Sequence, residues 1–259
     1  MRQVVLTVPA DEVELASDRL WSLGVVAVEE RPVGASVELW TSIEGKIPDD
    51  LAWPWRHEVV DETVADTWRV HAQPTWVTDS IVVCPAWQPQ DFPAGVTRLL
   101  IEPGPTFGMG DHPTTRLTLA AAASLVRPGM RVLDVGCGSG VLAIGCMLLG
   151  AGSAVGVDIA PSSVPVTRAN AEMNGVEVEV STTPLELVEG QYDLVLANIL
   201  APELVALAPD LRRVLATGGH LVISGILEER HQHVLDALSP LRVVRSAADH
   251  PWTAITLCR

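Results

Sequence analysis

Lysine is almost missing from this chain: Lys46 is the only one among 17 basic residues. Codon bias and selection against self-modification account for that skew equally well. Basic residues as a group are outnumbered by 32 acids, which leaves a formal charge of −15 and a pI near 4.7. A groove for nucleic-acid phosphates needs a basic patch that 17 scattered cations do not provide, so direct nucleic-acid binding is not expected. An acidic surface suits a basic partner instead, although acids that only keep a protein soluble leave the same composition. Cysteine is scarce as well. Cys84, Cys137, Cys146 and Cys258 show no paired metal-ligand spacing, which predicts structural free thiols and no metal site. Long apolar runs are absent: none reaches the ~18 to 20 residues of a membrane span. The apolar stretch within Met1 to Pro9 is too short for a secretory signal. The expectation is a cytoplasmic monomer with no membrane segment.

What is present is apolar material in quantity. Hydrophobic residues make up 48% of 259 positions, enough for one large domain or two unequal ones. Gln3 to Val8 alternates like a strand, and Glu12 to Leu23 carries Val13, Leu15, Leu20 and Leu23 at roughly helical spacing before Gly24. Val25 to Glu29 and Ser36 to Trp40 read as two short strands around a turn at Arg31 to Gly34. This predicts a small α+β domain over residues 1–60 and a linker over 61–75. Prolines and tryptophans crowd Ile47 to Gln90, among them Trp53, Trp55, Trp68, Trp76 and Trp87, and are expected to pack over a core edge. Residues 76–259 then alternate strand and helix without repeats or low-complexity tracts. That order predicts an α/β domain with a doubly wound, mostly parallel sheet.

The most informative segment is Asp134-Val-Gly-Cys-Gly-Ser-Gly140, placed between an apolar strand and an apolar helix, Val141 to Leu149. Gly136, Gly138 and Gly140 let the backbone turn sharply and approach a ligand, and a helix start favours an anionic group. The dinucleotide fingerprint is Gly-x-Gly-x-x-Gly, whereas here the third glycine comes one residue early, behind the acid Asp134. This is the pattern of S-adenosylmethionine (SAM) methyltransferases, whose ligand has no pyrophosphate to wrap. A second short strand, Ala154 to Val157, ends at Asp158, where a carboxylate can accept both hydroxyls of a ribose.

Three further segments fall at the carboxyl ends of strands, where open α/β sheets bind ligands. Glu102 to Thr115 is a glycine-rich loop running into a helix, and its Thr115 hydroxyl either caps that helix or bonds the cofactor's amino-acid end. Tyr192 to Leu200 is a buried strand ending in Asn198, whose amide is either a cap or a ligand contact able to hold an amine nucleophile. Ser224 to Glu228 follows the next strand and is expected to flank the same pocket.

Together these segments resemble the ribosomal protein L11 methyltransferase (PrmA) family. Phe107-Gly-Met-Gly-Asp-His-Pro-Thr-Thr115 is similar to that family's Phe-Gly-Thr-Gly-x-His-x-Thr-Thr signature, and Asp134 to Ile144 to its SAM loop. Ala197-Asn-Ile-Leu200 and Ser224-Gly-Ile-Leu227 are similar to its later motifs. Met109 departs from the signature's threonine, and Ala160 from a second acid often found after the ribose-binding one. The resemblance implies a class I, Rossmann-like, SAM-dependent methyltransferase of lysine ε-amino and N-terminal α-amino groups. Its substrate would be the basic ribosomal protein L11, recognised by the small amino-terminal domain. It also implies cofactor contacts from Thr115, Gly136, Asp158 and Asn198, within a site of Phe107, Gly108, Asp134, Gly138 and Gly140.

Methyl transfer is an in-line displacement in which alignment is worth up to ~7 to 11 kcal/mol. A lysine with a pKa near ~10.4 must first lose its proton, and desolvation beside a sulfonium assists that. His112 is the one nearby group that titrates near neutrality, as a proton acceptor beside Asn198 or as a holder of the loop. Other readings are a nicotinamide dehydrogenase, whose glycine spacing differs, and a methyltransferase of another protein or a small-molecule amine. Glutamine and nucleobase enzymes carry Asn-Pro-Pro-Tyr where this chain has Asn198-Ile-Leu-Ala201. A non-catalytic SAM-binding adaptor completes the set.

Overall fold

Alternation at Val4, Leu6 and Val8 turns one face of strand β1 (Arg2–Pro9) inward, where it packs on Ala16 and Leu20 of helix α1 (Val13–Trp21). The computed structural model describes residues 2–10, 12–21, 23, 25, 28–34, 36–41, 51–59, 72–88, 90–102, 106, 108 and 110–259. Contacts divide the chain into two compact units, Met1–Ala72 and Gln73–Arg259.

In the first unit β1 pairs antiparallel with β3 (Ser36–Thr41) and β4 (Trp55–Val59), and β2 (Val28–Val33) lies outside β3. The sheet order is β2-β3-β1-β4. β4 lies inside the stretch read as a connecting region, so this module holds one more strand than the sequence pattern announced. Arg31 and Pro32 belong to β2 and not to a turn; the hairpin reverses between Val33 and Ser36, with Gly34 at φ +63°. Pro32 is tolerated because β2 is an edge, where a missing N–H breaks no ladder. Trp53 is buried against the α1 core, and its indole N–H donates to Glu12 Oε2 at 2.7 Å. Most of the expected linker, and Trp68 with it, lies outside the described residues.

The second unit opens with a three-stranded sheet, β5 (Thr75–Thr78), β6 (Ile81–Pro85) and β7 (Thr97–Ile101). Six alternating strands and helices follow: α2 (Pro113–Leu125), β8 (Arg131–Val135), α3 (Val141–Leu148), β9 (Ser153–Val157), α4 (Ser163–Met173) and β10 (Glu179–Ser181). The remainder is β11 (Tyr192–Asn198), α5 (Ala201–Val214), β12 (Leu215–Leu227), α6 (Gln232–Leu238), β13 (Arg242–Asp249) and β14 (Trp252–Cys258). The seven-stranded sheet has the order β10-β9-β8-β11-β12-β14-β13, parallel through β12 and antiparallel at β14. This is the doubly wound, mostly parallel sheet that the sequence predicts.

Neighbouring residues of the central strands feed opposite cores. Leu133, Val195 and Ile223 pack with α5 and α6, while Val132, Leu194 and Val222 pack with α2 and α3. Burial on both faces explains why these strands read as continuous apolar runs. Arg242, Arg245 and a register shift between Val243 and Arg245 blunt the exposed edge at β13. No helix of the described residues is long and apolar enough to cross a membrane.

Candidate functional site

β8 delivers the chain to Gly136 at φ +74°, Gly138 at φ +53° and Gly140 at φ +81°, all in the left-handed region that costs a side chain dearly. The loop is tied to the tip of β9. The Gly136 and Cys137 N–H groups both donate to Val157 O, at 2.8 and 3.2 Å. The Gly138 N–H donates to Asp158 Oδ2 at 2.8 Å, and the Ala160 N–H to Asp158 Oδ1 at 2.8 Å. Asp158 thus braces the glycine loop while each oxygen retains a further acceptor position, the number two hydroxyls require.

Asp134 stands immediately before the loop and is fully buried, with Oδ2 accepting the Ala143 N–H of α3 at 3.1 Å. Its Oδ1 is buried with no hydrogen-bond partner. Burial pushes this carboxyl up from 3.8 to about 7, with the Ala143 N–H pulling it down and the charge of Asp158 adding to the rise. A buried carboxylate with an orphaned oxygen fits a cationic group arriving from outside the chain. Burial pushes the thiols of Cys84, Cys137 and Cys146 up, so these are packing residues and not nucleophiles. The described residues contain no cluster able to hold a metal ion.

The glycine-rich segment ending at Thr115 joins the loop through Ser139, whose hydroxyl donates to Gly108 O at 2.6 Å. Phe107 and Met109 lie outside the described residues. Of the two roles open to Thr115, the cap is taken by His112: its Nδ1 accepts the Thr114 N–H, and Pro113 fills the first helical position. Thr115 Oγ1 is left buried without a partner. The His112 ring sits edge-on to Trp252 at 5.2 Å, and Arg116 pairs with Asp249. Burial holds the His112 imidazole below its usual range, Asp111 pulling it back up and Arg116 pressing it down further.

Asn198 is half-buried at the tip of β11, opposite Ser224 in the parallel register. Ile199, next in the chain, lies so close over Gly136 that any side chain there would strike it, and its backbone leaves no room for one at Gly225 either. The carboxyl-terminal tips of β8, β9, β11 and β12 therefore meet at one end of the sheet. Ser224 is taken up structurally, donating to Thr253 O at 2.8 Å. Sequence reasoning missed Ser139, Thr167 and Asn170, which bond the backbone of these loops. Thr167 and Asn170 were signalled by polar residues at helical spacing on α4, which reads equally well as a solvated face, and Ser139 only by its place among the three glycines.

A family model described as Ribosomal protein L11 methyltransferase (PrmA) matches residues 35–259. A protein of that name from Geobacter sulfurreducens is 47% identical over 197 residues, covering 75% of this chain and 66% of the relative. One from Symbiobacterium thermophilum is 40% identical over 200 residues, covering 76% and 66%. The chain thus spans just under two thirds of these relatives' own length. The crystal structure of ribosomal protein L11 methylase from Lactobacillus delbrueckii subsp. bulgaricus matches with a TM-score of 0.69 at 29% identity, covering 73% of this chain and 99% of that one.

Proposed function

The chain belongs to the ribosomal protein L11 methyltransferase family, and we propose that it is a SAM-dependent N-methyltransferase of lysine ε-amino groups, the N-terminal α-amino group, or both, on ribosomal protein L11. One observation carries the reading. Two buried polar atoms without partners, Thr115 Oγ1 and Asp134 Oδ1, accompany a left-handed glycine loop braced by a ribose-type acid.

When bound, SAM supplies a methyl group on a positively charged sulfur. Asp158 offers its remaining acceptor positions to the ribose hydroxyls. Thr115 and Asp134 serve the amino-acid end, the carboxylate taking the ammonium and thereby recovering the charge that burial disfavours. Asn198 orients the incoming amine: its carboxamide accepts a hydrogen bond but takes no proton, so the lone pair stays free for attack. Ile199 and the half-exposed Leu200 give the amine an apolar approach, which favours its neutral form. His112 is assigned to holding the start of α2, since its Nδ1 faces Thr114 and its ring packs on Trp252. The net charge of −15 suits a basic substrate.

The test incubates the full chain with methyl-labelled SAM and purified L11 and maps the label by mass spectrometry. Label on L11 amines is expected. Label on a different protein or a small amine, or SAM binding without transfer, would reject the substrate assignment.

A further inference from the structure

Helix α4 is built against the usual pattern, because the side chains it buries deepest are polar. Ser163, Thr167 and Asn170 are buried, and Asn174 continues their stripe at the helix end. Their offsets of four, three and four residues put them on one face of a helix. Buried polar groups are costly unless paired, and Thr167, Asn170 and Asn174 are paired with backbone. Thr167 Oγ1 donates to Gly138 O at 3.1 Å. Asn170 Nδ2 donates to Ser139 O at 2.9 Å and to Glu102 O at 3.1 Å, while its Oδ1 accepts the Glu102 N–H at 2.9 Å. Asn174 repeats the pattern two residues back, with Oδ1 accepting the Leu100 N–H at 2.9 Å and Nδ2 donating to Leu100 O at 2.7 Å.

Each carboxamide therefore engages both backbone groups of one residue, as a neighbouring strand would. The spacing makes this possible. Four residues of helix rise about 6.0 Å and two residues of strand about 6.6 to 6.8 Å, so asparagines at i and i+4 meet alternate residues of an extended segment. Each also makes one bond outside this pattern: Asn170 reaches the glycine loop through Ser139, whereas Asn174 Nδ2 donates back to Asn170 O at 2.7 Å within its own helix.

We propose that Asn170 is a positioning residue for the cofactor site, fixing the glycine loop at Ser139 against the start of the Glu102 to His112 segment. Asn174 anchors β7 and does nothing for the site. The inference rests on the SAM-binding reading above. It separates two roles that one helix face performs, and the matched pair supplies the control.

The experiment uses the full chain as wild type, Asn170→Ala, Asn170→Asp and Asn174→Ala. Affinity for S-adenosylhomocysteine is measured by titration calorimetry and Tm by thermal denaturation. Both alanine variants should lower Tm to a similar degree. The Kd should rise about tenfold in the Asn170 variants and stay within twofold of wild type in Asn174→Ala. Asn170→Asp keeps the side-chain size and the Glu102 N–H bond but turns a carboxylate toward two carbonyls, so it carries the comparison should Asn170→Ala not fold. Equal Kd changes at both positions, or none at Asn170, would overturn the proposal. Absence of binding by the wild type would instead overturn the SAM reading, and this inference with it.

Discussion

Replacing Asp134 by asparagine tests the site through a single buried atom. The carboxyl is raised from 3.8 to about 7, chiefly by burial. At ~1.36 kcal/mol per tenfold shift, holding it charged in the fold costs roughly 4 kcal/mol, an order-of-magnitude figure. The unfolded chain releases this proton near its ordinary pKa while the folded chain retains it until about 7, so the group destabilises the fold progressively as pH rises between those values. Its contribution is roughly −2 kcal/mol at pH 5.5 and roughly −4 kcal/mol at pH 8. Asparagine keeps an acceptor for the Ala143 N–H and cannot ionise. Its NH₂ replaces the orphaned Oδ1, at a cost of about 1 to 3 kcal/mol that does not change with pH. The gap between variant and wild type in urea denaturation should therefore move by roughly 2 kcal/mol in the variant's favour from pH 5.5 to pH 8. The variant should also bind S-adenosylhomocysteine at least about tenfold more weakly at pH 8, because a charge-assisted bond to the ammonium is lost. A stability gap that does not change with pH would refute the ionisation argument, and unchanged affinity would refute the role in binding.

The other expectations concern single side chains. Thr115→Val keeps the shape and removes the unpaired hydroxyl, so it should raise stability by about 1 kcal/mol in thermal denaturation while weakening S-adenosylhomocysteine binding several-fold. Asn198→Ala should cut kcat on L11 roughly 100-fold through misaligned amine, with a smaller effect on the KM for SAM; a rise in KM with kcat unchanged would count against the orienting role. Gly136→Ala must hold alanine at φ +74° and displace Ile199. The backbone alone costs about 1 to 2 kcal/mol, and calorimetry should register little or no cofactor binding.

The central sheet was legible because its strands are buried on both faces. Val132 to Val135 and Leu194 to Ala197 contain a single polar residue, Asp134, and it is fully buried. β4 was not legible for the converse reason. Trp55, Arg56 and His57 are all exposed, so no alternation marks them as a strand. Their conformation comes from pairing with β1, where Val5 faces Arg56 and Leu6 faces Trp55, and a tertiary partner leaves no trace in local pattern.

At the site, conformational demands were readable and partnerships were not. Three glycines in a heptad announce left-handed backbone, and the structure has all three there. The cap of α2 was also recoverable: proline favours the first helical position, so Pro113 marks His112 and not Thr115 as the residue before it. Releasing Thr115 from capping is what leaves its hydroxyl unpaired and turns it from an ordinary helix-start residue into a candidate ligand contact. The α4 stripe is a harder case. Thr167, Asn170 and Asn174 have the spacing of a solvated face, and nothing local separates water from backbone carbonyls as their partner. What decides it is that β7 and the glycine loop both present unpaired backbone groups to that face, a demand that exists only once the sheet has folded.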